Sequence, residues 1–457
     1  MEALIRIGLH VNSILPGFLQ KYVERLRASE IACRLVGGAS WLFAGSVISR
    51  GATLISFIII ARIVGKEQFG MLGVIQSTVA MFQIFVVFGA GVTASRYVSE
   101  LCLQDRPRTG RVIVLSRLFA VGAGFVMAAI LFLFSSQIAT RFLAARNLTH
   151  LLQVGALLLF LTTLNGAETG ALSGFQSFGV IARTNFIGAV AAVPITIAGA
   201  YWKGVEGVVW GLAISMGVIW LLNFAAVKER MRAASIPSGL VGCWKELRIL
   251  SSFSLPAVLS SLLTVPIDWV CVAMLVHQPR GYSEMGVYNV ASQWRQLVLF
   301  LPSLLIQVML PVMSQSRYHS YHARLRAWLG QMKISFWIIL YCSAPIVFIS
   351  CILSPWIMTT YGRAFSAGWP AFVLGQTAAL LQALQAPMIA FLTASGRMWT
   401  IVYINVLLGS VLVGTSWMLV GKGALGLMMA VLVGFIVHSF VLMWIAYRAF
   451  FRKGVEK

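Results

Sequence analysis

Long apolar runs, broken by short polar or glycine-bearing stretches, recur from about residue 40 to residue 447. A helix needs about 18 or more such residues to cross the roughly 30 Å hydrocarbon core of a bilayer. Twelve runs meet that length, at 40–64, 70–98, 111–135, 149–172, 178–202 and 205–227, then at 251–277, 284–313, 333–353, 367–394, 397–420 and 424–447. Stretches such as Val121 to Phe134 are apolar throughout, whereas the strands of a membrane β-barrel alternate with period two. The pattern predicts an all-α polytopic membrane protein of about twelve transmembrane helices.

Composition agrees, with 59% hydrophobic and 11% charged residues, against roughly 45–50% and 25% in a soluble domain. Thirty-five Lys and Arg stand against thirteen Asp and Glu, a net charge of +22. Cytoplasmic loops retain Lys and Arg. With the N-terminus inside, 22 basic residues fall in cytoplasmic segments, 7 outside and 6 within spans. Both termini are then cytoplasmic, and most of the charge reports topology. Nucleic acid is not an expected partner, because its recognition wants basic residues gathered on a soluble face with stackable aromatics. The six cysteines contain no Cys-x-x-Cys, so neither a disulfide framework nor a zinc site is indicated.

The layout is a cytoplasmic N-terminal segment 1–39, a bundle of six helices over 40–227, a basic cytoplasmic linker 228–250, a second bundle of six over 251–447, and a basic tail 448–457. In the first segment, Leu19 to Leu35 interleaves Lys21, Arg25, Arg27 and Arg34 with apolar residues. That pattern suits an interfacial helix rather than a cleaved signal peptide. No outside loop exceeds about fourteen residues, and the linker has about twenty-three, too few for a soluble catalytic domain of about 50 or more. A transporter is expected rather than an enzyme. A glycan polymerase or ligase would want a long outer loop carrying Arg and His, and the isolated His277 and His438 read as interface and packing residues.

The two bundles echo each other. GKEQFGMLGVIQS (65–77) precedes span 2, and GYSEMGVYNVASQ (281–293) precedes span 8, so that Gly65, Gly70 and Val74 match Gly281, Gly286 and Val290 at an offset of 216. A second echo aligns Leu172 and Asn185 with Leu392 and Asn405 at an offset of 220. Six spans per half is even, so the halves share one orientation about a pseudo-twofold along the membrane normal. Transporters of this kind place a substrate path between the halves.

Ionisable groups inside hydrocarbon cost from about 2.5 to over 10 kcal/mol, so they mark cavities or partners. Arg96, Arg117, Glu168 and Arg183 lie toward the cytoplasmic ends of their spans, where snorkelling is open to them. Arg50, Asp268 and Arg295 are deeper. Ser46, Ser49, Thr53 and Ser56 fall beside Arg50 at helical spacing, as do Ser261, Thr264 and Cys271 beside Asp268, and Tyr288 and Ser292 beside Arg295. Such stripes suit the walls of a wet cavity. Pro266, two residues before Asp268, removes a backbone donor and favours a kink, giving a hinge beside an ionisable group. Asp268, Pro266 and Glu168 are thus the candidate coupling and gating residues, with an Asp268 pairing to Arg50 or Arg295 as the alternative for that carboxylate. Five arginines against two carboxylates make the cavity cationic. Guanidinium groups match phosphate oxygens bidentately, so an anionic, phosphorylated substrate is expected, bound by Arg50, Arg295, Arg117 and Arg183. A multidrug antiporter would show carboxylates in excess.

The stretches SWLFAGSVISRGATLISFIIIARIVGKEQFGMLGVIQS and FGAGVTASRYVSE resemble the N-terminal signature of the polysaccharide-biosynthesis export family, the Wzx-type flippases. SLPAVLSSLLTVPIDW (254–269) and SEMGVYNVASQWRQLVLFLPSLLIQVMLPVMSQ (283–315) resemble that family's spans 7 and 8. The resemblance implies the multidrug/oligosaccharidyl-lipid/polysaccharide superfamily fold, two bundles of six helices around a V-shaped central cavity, working by alternating access in the bacterial inner membrane. It implies a substrate of undecaprenyl-pyrophosphate-linked oligosaccharide, an O-antigen or exopolysaccharide repeat unit, with Arg50 and Arg295 matched to the pyrophosphate. A polysaccharide polymerase and a chain-length regulator become candidate partners beside membrane lipids, for a protein working as a monomer. No bound cofactor is expected, and the driving force is left open between a proton gradient, a sodium gradient and the membrane potential. Lipid II flippases of the superfamily carry two further C-terminal spans, a departure that lowers the peptidoglycan reading.

Overall fold

The computed structural model describes residues 30–87, 91, 93–102, 104–237, 264–314, 321–395 and 398–451. Among the described residues ten helices carry the fold. They are α1 (Glu30–Val87), α2 (Arg106–Leu133), α3 (Leu148–Gly174), α4 (Phe178–Ala233), α5 (Val265–Val276), α6 (Gly281–Ser314), α7 (Tyr321–Ile352), α8 (Trp369–Ala394), α9 (Met398–Leu419) and α10 (Ala424–Phe451). Among the described residues, eight helices are long and apolar enough to cross a membrane, and α5 is a shorter apolar helix. The 1–39 interfacial segment up to residue 29, most of the basic linker, the first part of span 7 including Ser261, and the tail beyond residue 451 lie outside the described residues, as does the Ser46 side chain.

Two of these helices are folded over. In α1 the helical dihedrals fail at Gly65 (φ 81, ψ 173), a conformation open chiefly to glycine. The rings of Phe57 and Phe69, roughly 18 Å apart on a straight helix, have centroids 6.2 Å apart, so the arms of α1 lie side by side. In α4 the break is at Lys203 and Gly204, and a Cβ on Gly199 would stand 2.2 Å from the Gly207 carbonyl oxygen across the turn. The expected linker start at 228 is late in forming, because α4 continues to Ala233. Arg230 and Arg232 sit in its last turn, where cations meet the negative helix end favourably.

The residues that match in sequence also meet in space. A Cβ on Gly70 would lie 1.8 Å from the Tyr282 carbonyl oxygen, and one on Gly286 would lie 2.4 Å from that of Lys66; Lys66 and Tyr282 are themselves an offset-216 pair. Each glycine therefore packs on the counterpart of its own neighbour, as across a twofold axis. Gln68 Oε1 accepts from Val205 N (3.4 Å) at the start of the second arm of α4. Its counterpart Glu284 accepts from Ala424 N (3.0 Å) at the start of α10. Beside them Gly204 (φ 57, ψ −134) and Gly423 (φ 67, ψ −143) hold one conformation. Gly70→Ala should push α1 and α6 apart and destabilise the fold by about 3 kcal/mol; thermal unfolding of purified protein would show it, and an unshifted midpoint would contradict this packing.

The core is shared at one end and divided at the other. The largest buried cluster joins Phe57, Phe69, Leu72 and Val205 to Trp269, Tyr361, Phe365 and Phe372, drawing on both halves around the Gly65 and Gly204 turns. Cross-half bonds reinforce it, with Arg62 Nε donating to the Thr360 carbonyl, Trp269 Nε1 to Thr78 Oγ1 at 3.0 Å, and the Tyr282 hydroxyl to the Leu143 carbonyl. Lys66 and Glu284 form an ion pair at 3.5 Å. Toward the other end, separate clusters form around Leu172 in the first half and around Leu392 in the second, the pair of residues in the second sequence echo.

Candidate functional site

The polar stripe read beside Arg50 lines a cavity of 410 Å³, with Ser49, Arg50, Thr53 and Ser56 on one wall and Asn185, Thr196 and Ser215 opposite. The walls are the first arm of α1 and both arms of α4, so this chamber lies inside the first half rather than between the halves. Thr53, Thr196 and Ser215 hydroxyls bond carbonyls of their own helices, the local solution for hydroxyls on apolar helices. Ser56 and Thr196 oxygens lie 3.1 Å apart. Ser49 Oγ is buried without a partner. Among the described residues the wall carries one arginine and no carboxylate. Arg50 is exposed to this space, its Cζ 4.5 Å from the centroid of Phe300 on α6 of the second half.

Arg117 and Glu168, expected as a substrate ligand and a coupling carboxylate, are joined to each other. Arg117 Nε donates to Glu168 Oε1 at 2.8 Å and Nη2 donates to Oε2 at 2.7 Å, the bidentate fork of strong guanidinium–carboxylate pairs. Glu168 is 2% exposed, and the Arg117 guanidinium lies over the Phe224 ring at 4.5 Å. Asn223 Nδ2 donates to Asn165 Oδ1 alongside (2.8 Å). The charge of Arg117 is answered within the first half, which leaves it poorly placed to take a substrate phosphate.

In the second half, Arg295 Nη1 donates to Gln382 Oε1 at 3.1 Å, while its buried Nε has no acceptor. Asp268 is near enough for its charge and that of Arg295 to act on each other, and both act on the buried Tyr288 hydroxyl. Asp268 is exposed, one turn into α5, whose N-terminus favours a carboxylate. Pro266 sits in the first turn of α5, where its missing N–H costs no hydrogen bond. The expected kink in a longer span 7 lies outside the described residues. Cys271 of the same stripe accepts from Ser416 Oγ (3.4 Å).

The structure thus joins Arg117 to Glu168, leaves Arg295 and Asp268 within electrostatic range but without a direct ion pair among the described residues, and places Arg50 against the second half without putting Arg295 on the same cavity wall. Arg183 is exposed near the start of α4, with no partner among the described residues. Arg96 pairs with Glu100 on the surface at 3.1 Å. The histidines behave as packing and interface groups: His277 Nδ1 is 2.7 Å from the Ala273 carbonyl, and buried His438 Nδ1 is 2.6 Å from Gln385 Oε1. Gln385 Nε2 donates to the Phe435 carbonyl and to Ser439 Oγ, so its Oε1 is left to accept and His438 carries its proton on Nδ1. Sequence reasoning missed Asn185 as a wall residue and the rings of Phe224 and Phe300.

Residues 35–317 match the family described as "Polysaccharide biosynthesis protein". The chain is 26% identical over 275 residues to the EPS I polysaccharide export inner membrane protein EpsE of Ralstonia solanacearum, and 24% over 280 residues to that of Ralstonia nicotianae. Each match covers 59% of this chain and 61% of the relative, so the chain spans less than two thirds of those relatives. Among solved structures it is similar to an inward-facing multidrug resistance MATE family transporter of the MOP superfamily, with TM-score 0.72, 16% identity, 89% of this chain and 96% of that one. It is also similar to the lipid II flippase MurJ in an inward closed conformation, with TM-score 0.70, 13% identity, 89% of this chain and 87% of that one. The family match covers more than half of the chain, and its polar cavity lies within the matched residues; this multi-pass helical membrane protein belongs to the polysaccharide biosynthesis protein family.

Proposed function

We propose that the chain is a flippase that carries a diphosphate-linked oligosaccharide lipid from the cytoplasmic to the outer leaflet of the bacterial inner membrane. Counting α1 and α4 twice, and adding α5 and α6 to the helices long enough to span, gives twelve crossings. The reciprocal packing of Gly70 and Gly286 supports two bundles of six about an axis along the membrane normal. With both termini cytoplasmic, as the distribution of basic residues favours, the shared core lies outside and the divided cores inside, a V open inward.

The observation that carries the reading is the charge of the Arg50 cavity: among the described residues its wall has one guanidinium, hydroxyls and an amide, and no carboxylate. A diphosphate offers the planar pairs of oxygens that a guanidinium binds best. The alternative of a multidrug antiporter, which the MATE likeness fits in fold, wants a carboxylate free to meet a cation, and the deep carboxylate of the first half is committed to Arg117. Rocking of the halves would carry the headgroup out while the polyprenyl tail stays in lipid. Outward movement of an anion across an inside-negative membrane gains about 2.3 kcal/mol per charge per 100 mV, and Asp268 beside Arg295 is the group through which an ion gradient would act.

Proteoliposomes holding a labelled undecaprenyl-diphosphate oligosaccharide and, separately, a cationic dye test this. Protein-dependent exposure of the glycan without dye movement is expected; dye transport with no glycan movement would transfer the chain to the antiporter reading.

A further inference from the structure

Two arginines of the first half lie over phenylalanine rings at 4.5 Å, and they differ in one respect. Arg117 lies on Phe224 with its edge on the Glu168 carboxylate, the ring and the anion both fixed inside one half. Arg50 lies on a ring at the same 4.5 Å, but Phe300 belongs to the other half, and the free edge of the guanidinium adjoins the cavity that holds the unpartnered Ser49 hydroxyl. A ring uses the face of a guanidinium and leaves its five in-plane N–H donors to oxygen acceptors. The Arg117 site is therefore a complete copy, within the same protein, of the arrangement that Arg50 has with the anion still to come.

We propose that Phe300 is a positioning residue that completes the anion site from the opposite half, so that affinity for the headgroup depends on how the halves stand. The inference rests on the reading that Arg50 takes the diphosphate, and it supplies what that reading lacks, a means of release. With the halves as they are here, the ring fixes the guanidinium plane and the edge is aimed into the cavity. When the halves rock, α6 withdraws Phe300 from α1, Arg50 regains its rotamers, and the ordering cost of holding it returns to the bound state as weaker binding. Ser49 stays with the first half and keeps contact with the departing anion.

The test is binding of inorganic pyrophosphate to purified protein, by calorimetry, across a graded series at position 300. Phe300→Leu removes the π face and should weaken binding by about fivefold. Phe300→Tyr and Phe300→Trp keep a face and should bind within about twofold of the parent. Arg50→Ala should abolish binding. Thermal midpoints identify any variant that fails to fold, and the Tyr and Trp variants carry the test if the Leu variant does. Equal affinity across Phe, Leu, Tyr and Trp, or equal weakening by Leu and Trp, would overturn the role of the ring while leaving the diphosphate reading in place. A parent protein that binds no pyrophosphate, indistinguishable from Arg50→Ala, would overturn that reading and this inference with it.

Discussion

Arg50→Ala should reduce glycan-lipid translocation by about 100-fold while the protein remains folded. Hydrogen bonds to charged groups contribute roughly 1.5–3 kcal/mol each, and losing a bidentate pair to a phosphate at the lower end of that range, about 3 kcal/mol for the two, corresponds to about two powers of ten in affinity. The cost to folding is small. Arg50 is exposed to the cavity, and the interaction it would lose in the resting protein is its stacking on Phe300, within the roughly 0.5–2 kcal/mol of cation–π contacts. Arg50→Lys keeps the charge without the planar fork and should fall between, at about tenfold. The measurements are initial translocation rates in proteoliposomes beside the thermal midpoint in detergent. Unchanged rates for the alanine variant would remove Arg50 from the site.

The largest stability effect belongs to Glu168. Glu168→Gln leaves the Arg117 guanidinium in the bundle with a neutral partner, and breaking a buried pair from one side costs about 3–5 kcal/mol. Arg117 is 22% exposed at its side chain, so the lower end, about 3 kcal/mol, is expected. Arg117→Met combined with Glu168→Gln should recover most of that loss, because a well-packed neutral pair leaves no charge uncompensated. Thermal unfolding of the two single variants and the double variant forms the cycle. A Glu168→Gln protein as stable as its parent but unable to transport would instead restore Glu168 to the coupling role that its position in the sequence first suggested.

The helices were legible in the sequence because a bilayer leaves few other solutions to a long apolar run. Gly65 and Gly70, matched to Gly281 and Gly286, announced the place where the halves touch. The polar spacing of Ser49, Thr53 and Ser56 about Arg50 announced a cavity wall. Its location was not legible, since helical periodicity says which side of a helix is polar but not which neighbour covers it; the walls opposite are Asn185, Thr196 and Ser215 of the same half. For the same reason Arg117 and Glu168 read as two separate functional charges, when residues fifty-one positions apart form one bidentate pair. The rings under Arg50 and Arg117 gave no periodic signal among twenty-eight phenylalanines.

The central claim is that the diphosphate headgroup enters the first-half cavity, and photo-crosslinking locates it most directly. A glycan lipid bearing a photoreactive group next to the diphosphate, incubated with the protein in membranes and mapped by mass spectrometry, should label peptides containing Ser49 to Ile60 of α1 and Asn185 to Ile219 of α4, the cavity walls. Labelling confined to exposed apolar residues away from the cavity such as Phe125 and Phe348, or to the Asp268 and Arg295 region alone, would contradict it.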